Sequence, residues 1–176
     1  VDLGTGLGML PVLLALRGQA DRIVGVDWDG AKIDSGTRAA AQLPAVELRR
    51  GDIRECELPR ADVVVLADVL HYWPLTTQGQ LLERAVAALA PRGELVIRDT
   101  DRRGRSWLTR LLEGIAVKVG WNRGPGLCYR TADGLRRQLQ ELGLDCPADA
   151  APSESAVHGG NFLIAAKKVV PPDRCS

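Results

Sequence analysis

The sequence predicts an α/β domain with a doubly wound, mostly parallel sheet and helices on both faces. Three observations carry that expectation. Short apolar runs, many of them β-branched (Ile23–Val26, Ala61–Ala67, Glu94–Ile97), alternate with longer segments whose apolar residues recur at helical spacing. The opening strand enters its helix through a glycine-spaced turn, Gly4-Thr5-Gly6-Leu7-Gly8. Asp2, Asp27, Asp68 and Asp99 all fall at the same edge of the expected sheet, the carboxyl ends of its strands, where open α/β sheets bind ligands.

Length and composition bound the rest. A chain of 176 residues makes one domain, expected over 1–170, with a short tail at 171–176. A formal net charge of +1 and dispersed arginines give no electrostatic footprint for nucleic acid; Arg102-Arg103-Gly104-Arg105 reads as a solvated loop. No apolar run reaches the ~18 residues of a membrane span. Cys56, Cys128, Cys146 and Cys175 are far apart and lack the close pairing of a zinc site. They read as free thiols of a reducing, cytoplasmic compartment, and no metal is expected. The chain starts at Val1 inside its first strand, so a segment ahead of it is expected to be missing.

In that first unit Val1 and Leu3 supply the strand end. From Met9 the period changes, with Met9, Val12, Leu13 and Leu16 on one helical face. Pro11 is tolerated because a first-turn N–H has no helical partner anyway. Strand, glycine turn and helix N-terminus offer free N–H groups and a positive dipole end. The third glycine of a dinucleotide fingerprint would stand at Met9, and the pattern is instead D-x-G-x-G-x-G from Asp2. A pyrophosphate gains nothing from Asp2; a ligand carrying an ammonium and a sulfonium does. The stretch resembles the first motif of the class I S-adenosylmethionine-dependent methyltransferases. That resemblance implies S-adenosylmethionine as co-substrate, with Asp2, Gly4, Thr5, Gly6 and Gly8 at its site.

A turn at 18–21 leads to Ile23–Val26, a run suited to a strand buried on both faces. It ends in Asp27, 19 residues beyond Gly8, where a carboxylate can accept both hydroxyls of a ribose. Trp28 adjoins it, and Asp29 can cap the next helix. That helix covers 30–43 with Ile33, Ala40 and Leu43 inward, and Pro44 stops it. Val46–Arg49 is a third strand, and in the family an acid after it meets the adenine amine. The resemblance assigns that role to Asp52, beside Ile53. Ala61–Ala67 is the strongest strand; D-V-V-V-L-A-D-V-L-H-Y-W resembles the family's fourth-strand motif, whose end, Asp68 and Val69, lies beside the transferred methyl. His71 is a candidate general base or the orienter of one, or it packs beneath the cofactor. Tyr72 and Trp73 read as packing around the adenine or the acceptor.

A helix is expected over 77–90, with Leu81, Leu82, Ala85, Val86 and Leu89 buried, ended by Pro91-Arg92-Gly93. Leu-Ala-Pro-Arg-Gly-Glu-Leu-Val-Ile resembles the family's helix–turn–strand signature, and the strand Glu94–Asp99 delivers Asp99 as a second catalytic candidate. Trp107 to Val119 suits an amphipathic helix, followed by a loop at 120–126. Trp107, Trp121 and Tyr129 are candidate acceptor contacts or cover for the sheet. Thr131 caps a helix with Leu135, Leu139 and Leu142 inward, closed by Gly143. Strands at 144–148 and 161–166 then form a terminal hairpin. A seven-stranded sheet with an antiparallel last strand is what the resemblance implies.

The reaction so implied is in-line methyl transfer to a small-molecule acceptor. Residues 97–123 resemble methyltransferases of polyketide or aryl-lipid pathways, which points to a polyketide, aromatic or acyl-linked acceptor. The alternatives are a non-catalytic S-adenosylmethionine-binding or interaction module and, against Met9, a nicotinamide-dependent oxidoreductase.

Overall fold

The computed structural model describes residues 1–101, 127–147 and 160–169. Their elements run β1 (Asp2–Leu3), α1 (Met9–Leu16), β2 (Ile23–Asp27), α2 (Gly30–Ala39), β3 (Val46–Arg50) and β4 (Ala61–Ala67). A short 3-10 turn (Leu70–Tyr72) follows, then α3 (Leu75–Ala88), β5 (Leu89–Thr100), α4 (Ala132–Glu141), β6 (Leu144–Asp145) and β7 (Asn161–Lys168). The expected helix within 107–119, with Trp107 and Trp121, lies outside the described residues, as do His158 and Cys175.

Among the described residues, seven strands form one sheet in the order β3-β2-β1-β4-β5-β7-β6. All neighbours pair parallel up to β5, and β7 runs antiparallel to both β5 and β6. The sheet is doubly wound as expected, and its last strand in the chain, β7, is antiparallel and lies between β5 and the edge strand β6. The chain builds outward from β1 to β3, then returns to place β4 on the other side of β1. The strand order reverses there, which opens a crevice at the carboxyl ends of β1 and β4.

Burial follows from this topology. All five residues of β2 are buried, the signature of a strand covered on both faces. Leu3, Val26, Val64, Leu66, Leu95, Ile97 and Ile164 are among the sheet residues of the core, and Leu81, Leu82, Ala85, Leu135 and Leu139 join them from α3 and α4. Each fully buried leucine contributes roughly 1.5–3 kcal/mol of transfer free energy. Gly25 allows close packing inside β2: a Cβ there would stand 2.8 Å from Thr5 Oγ1 and 2.7 Å from a Leu48 methyl.

Several boundaries differ from the sequence reading, each for a local reason. The Met9–Leu13–Leu16 face of α1 points to solvent, with Met9 76% and Leu16 68% exposed; the helix seats Pro11 instead. Eight consecutive apolar residues make both faces equally hydrophobic, so spacing alone does not choose between them. Helix α2 ends at Ala39, four residues short of the expected limit, leaving Leu43 half-buried beyond it. Helix α3 starts at Leu75 and gives way at Leu89, which already pairs with Ala61 in the sheet. Pro91-Arg92-Gly93 is therefore an irregularity inside β5, with Arg92 at φ 64°, and not a separate turn. Strand β7 continues to Lys168, because Lys167 and Lys168 pair with β6. The expected cap and stop of α4 are present: Thr131 Oγ1 accepts the Gly134 N–H at 3.2 Å, and Gly143 follows at φ 81°.

Candidate functional site

A cavity of about 490 Å³ occupies the crevice. Its walls come from the glycine turn after β1 (Gly4, Gly6), the end of β2 (Asp27, Trp28), the segment after β3 (Gly51 to Arg54), and the end of β4 with its 3-10 turn. Lys32 of α2 completes it.

The turn is folded by the strand beside it. Gly4 and Thr5 both donate backbone N–H bonds to the Val26 carbonyl, at 2.8 and 3.0 Å. This draws the loop against β2 and aims the next N–H, that of Gly6, at the Asp27 carboxylate, 2.8 Å away. Gly6 sits at φ 57° with open space where a Cβ would project. A side chain there would be strained and would enter the cavity. Asp27 also accepts the Asp29 N–H at 2.9 Å, on its other oxygen. An ionised carboxylate has about four acceptor directions, so roughly half of its capacity is left at the cavity wall.

Asp52 is held differently. Arg54 chelates it, with Nε 2.9 and 3.0 Å from the two oxygens and Nη2 2.5 Å from the second. These bonds pull the Asp52 carboxyl below its ordinary value despite partial burial. The Arg54 guanidinium lies 4.5 Å over the Trp73 ring, a cation–π contact that closes one side of the cavity. Arg84 of α3 anchors the segment from behind by donating to the Ile53 and Cys56 carbonyls. Asp68, opposite, adopts φ 56°, an unusual conformation for a non-glycine residue and a form of strain that clusters at functional sites. Burial raises its carboxyl above the ordinary value, and its ion pair with Arg98 works against that rise.

The candidate residues therefore divide. Gly4, Gly6, Asp27, Trp28, Asp52, Ile53, Asp68 and Val69 meet at one cavity. Asp2, Thr5 and Gly8 do not line it. Asp2 is buried beneath the turn, where it accepts the Thr5 hydroxyl at 2.6 Å, and burial raises its carboxyl. Gly8 begins α1 at φ 72°. Lys32, Gly51 and Arg54 are lining residues that the sequence reading missed; Arg54, two residues past Asp52 and able to chelate it, was the one with a signal.

His71 and Asp99 form a buried pair beside the cavity. His71 is 8% exposed, and its Nδ1 stands 2.5 Å from Asp99 Oδ1. Asp99 also accepts backbone N–H bonds from His71 and Thr100, at 3.2 and 2.7 Å. An ionised carboxylate only accepts, so the proton belongs on Nδ1 and the lone pair on Nε2. The ring lies 4.2 Å from that of Tyr72, a cavity-lining residue, and is stacked with Tyr129 at 5.1 Å and 9°. Neither His71 nor Asp99 lines the cavity itself. Tyr129 meets His71, while Trp107 and Trp121 lie outside the described residues.

Among the described residues no cluster of His, Cys, Asp and Glu could hold a metal ion, and no helix is long and apolar enough to cross a membrane. Cys56, Cys128 and Cys146 are free thiols.

Comparison with known proteins places this geometry in context. The family described as a methyltransferase domain matches residues 1–93. A trans-aconitate 2-methyltransferase of Variovorax paradoxus is 33% identical over 144 residues, covering 81% of this chain and 52% of that protein. The acetylserotonin O-methyltransferase of Bos taurus is 30% identical over 121 residues, 67% of this chain and 35% of its own. The chain thus spans about half the length, or less, of the curated relatives it matches. Among solved structures, the magnesium protoporphyrin IX methyltransferase of Synechocystis with bound S-adenosylhomocysteine superimposes with a TM-score of 0.71 at 17% identity, covering 96% of this chain and 73% of that one. An O-methyltransferase family 2 protein of Planctomyces limnophilus in complex with apigenin gives 0.71 at 24% identity, with coverages of 96% and 49%. These structures share the fold.

Proposed function

This chain belongs to the class I S-adenosylmethionine-dependent methyltransferases, and from that premise we propose that it moves a methyl group from S-adenosylmethionine to a hydroxyl oxygen of a small-molecule acceptor. The observation that carries the donor half is the cavity at the strand-order reversal, where Asp27 is tied to the Gly6 N–H and keeps acceptor capacity for a ribose diol. The residues present fit such a donor. Asp52 and Asp68 are paired with Arg54 and Arg98, which leaves Asp27 as the carboxylate with acceptor capacity for the donor's hydroxyls. Trp28, Tyr72 and Trp73 offer aromatic surface for a purine. When bound, S-adenosylmethionine supplies a sulfonium methyl that is electrophilic without further activation.

The chain's own work is then to align the acceptor, exclude water and take up a proton. Alignment of two reactants can lower a barrier by about 7–11 kcal/mol. His71 would take the hydroxyl proton on Nε2, while Asp99 keeps Nδ1–H and stabilises the imidazolium that forms. The pair also selects the acceptor atom. A carboxylate, as a trans-aconitate-type acceptor offers, is ionised at neutral pH and needs no base. A hydroxyl, as the name of the acetylserotonin relative implies for that enzyme, does. A polyketide, aromatic or acyl-linked molecule carrying a hydroxyl suits both the pair and the aromatic surroundings.

The test is incubation with methyl-labelled S-adenosylmethionine and a panel of phenols, hydroxyacyl thioesters and trans-aconitate, read by mass spectrometry. The expected result is one methyl added to a hydroxylated member, slowed ~10²–10⁴-fold by His71→Asn. Methylation of carboxylates only, indifferent to His71, overturns the hydroxyl assignment. Donor binding with no turnover of any acceptor favours a binding module.

A further inference from the structure

One fully buried side chain near this pair is an amide that a purely packing role does not call for. Gln78, in the first turn of α3, is 0% exposed. Its Nε2 donates to the Trp73 carbonyl and to the Cys128 carbonyl, both at 2.8 Å. Its Oε1 accepts from Arg130 Nε at 2.6 Å. Both donors and the acceptor oxygen are therefore engaged, and two of the partners, Cys128 and Arg130, lie 50 and 52 residues along the chain from Gln78. A leucine or methionine would fill the space without desolvating an amide, so the bonds themselves must account for the residue.

Their effect is to fix a short segment, 127–130, against the 3-10 turn that carries His71. Cys128 is held at both ends of its backbone: its N–H donates to the His71 carbonyl at 2.8 Å, and its C=O accepts from Gln78. Arg130 is held in turn by Gln138 and the Leu75 carbonyl. Between Cys128 and Arg130 stands Tyr129, whose ring stacks on the His71 imidazole. The bond to Asp99 tethers Nδ1, and small coupled rotations about Cα–Cβ and Cβ–Cγ are the motion left to the ring. Tyr129, stacked on one face, and Tyr72, tilted against the ring, narrow that motion and with it the spread in the direction of the Nε2 lone pair.

We propose that Gln78 is a positioning residue that acts through Cys128 and Tyr129 to set the orientation of His71. Its catalytic meaning rests on the reading of His71 as the base. The sequence contains two histidines, His71 and His158, so the imidazole resonances are readily assigned with a His158→Gln variant. The experiment compares the His71 Cε1–H resonance in the wild type, Gln78→Met and Tyr129→Leu, with calorimetric titration of S-adenosylmethionine into each sample. In the wild type, the Tyr129 ring current displaces the His71 signal. Gln78→Met loses that displacement, as Tyr129→Leu does. Donor affinity changes little, because Gln78 does not line the cavity and touches its wall only at the Trp73 backbone carbonyl. With a turned-over acceptor, kcat falls by up to about 100-fold while the donor KM holds. Should Gln78→Met fail to fold, Gln78→Glu carries the same expectation: it keeps an acceptor for Arg130 but can donate to neither carbonyl. A His71 signal that keeps its wild-type displacement in whichever variant folds overturns the proposal. Loss of the displacement with no donor binding by any sample upholds the hold of Gln78 on His71 and overturns the donor reading instead.

Discussion

Replacing Asp27 by alanine removes the carboxylate that links the glycine turn to the cavity. In the folded protein that carboxylate accepts two backbone N–H bonds, from Gly6 at 2.8 Å and Asp29 at 2.9 Å. On the proposed reading, its remaining capacity accepts two ribose hydroxyls when a donor is bound. Hydrogen bonds to a charged group contribute about 1.5–3 kcal/mol each, so losing the two ligand bonds costs roughly 3–6 kcal/mol. At 1.4 kcal/mol per tenfold, that is a dissociation constant raised by about 10²–10⁴. Gly6 and Asp29 are both only partly buried, so their freed N–H groups can reach water in the variant and the fold should survive. Calorimetric titration with S-adenosylhomocysteine reads the affinity, and circular dichroism verifies the fold. Asp27→Asn, which keeps one acceptor oxygen, should fall between wild type and alanine. A folded Asp27→Ala variant that binds as tightly as the wild type would refute the assignment of the ribose contact.

Other perturbations test other parts of the site. Gly6→Val puts a β-branched residue at φ 57° facing the cavity; it should cost about 1–3 kcal/mol of stability in a denaturant titration and abolish donor binding together. Asp99→Asn should leave donor affinity intact while lowering the methylation rate sharply, because an amide in place of the carboxylate no longer fixes the proton on His71 Nδ1. Asp2 is a pH probe. Its carboxyl is raised in the folded state, chiefly by burial, so the folded protein binds this proton more tightly than the unfolded chain. That contribution favours folding at low pH and is lost as pH climbs above the ordinary aspartate value of 3.8. Asp2→Asn should therefore gain stability relative to wild type between pH 4 and pH 7, read as urea midpoints; a constant difference would contradict the buried-carboxyl account.

Much of the fold was legible because parallel sheets write themselves plainly. Strand β2 and the Val63–Ala67 part of β4 are apolar runs that lead into Asp27 and Asp68, and the turn between β1 and α1 has glycine at each left-handed position. The convergence of Gly6, Asp27 and Asp68 followed from the rule that one edge of such a sheet binds ligands. What periodicity left undecided was a choice between equivalent faces: in α1 the residues 9, 12, 13 and 16 and the residues 11, 14 and 15 are both apolar, and packing selected Pro11. The early start of β5 depended on Leu89 finding Ala61, a pairing that no local signal announces. The clasp of Arg54 over Trp73 and the amide of Gln78 likewise arise only when distant segments meet. A glutamine in a helix reads as solvent-facing until Cys128 and Arg130 close over it.

The proposed function requires the cavity at the β1–β4 crevice to take S-adenosylmethionine. Titration of the wild-type chain with S-adenosylmethionine, S-adenosylhomocysteine and NAD, each under the same conditions, tests it most directly. Saturable 1:1 binding of the first two and none of NAD is expected. Binding of NAD alone would contradict it and return the glycine turn to the dinucleotide-binding class.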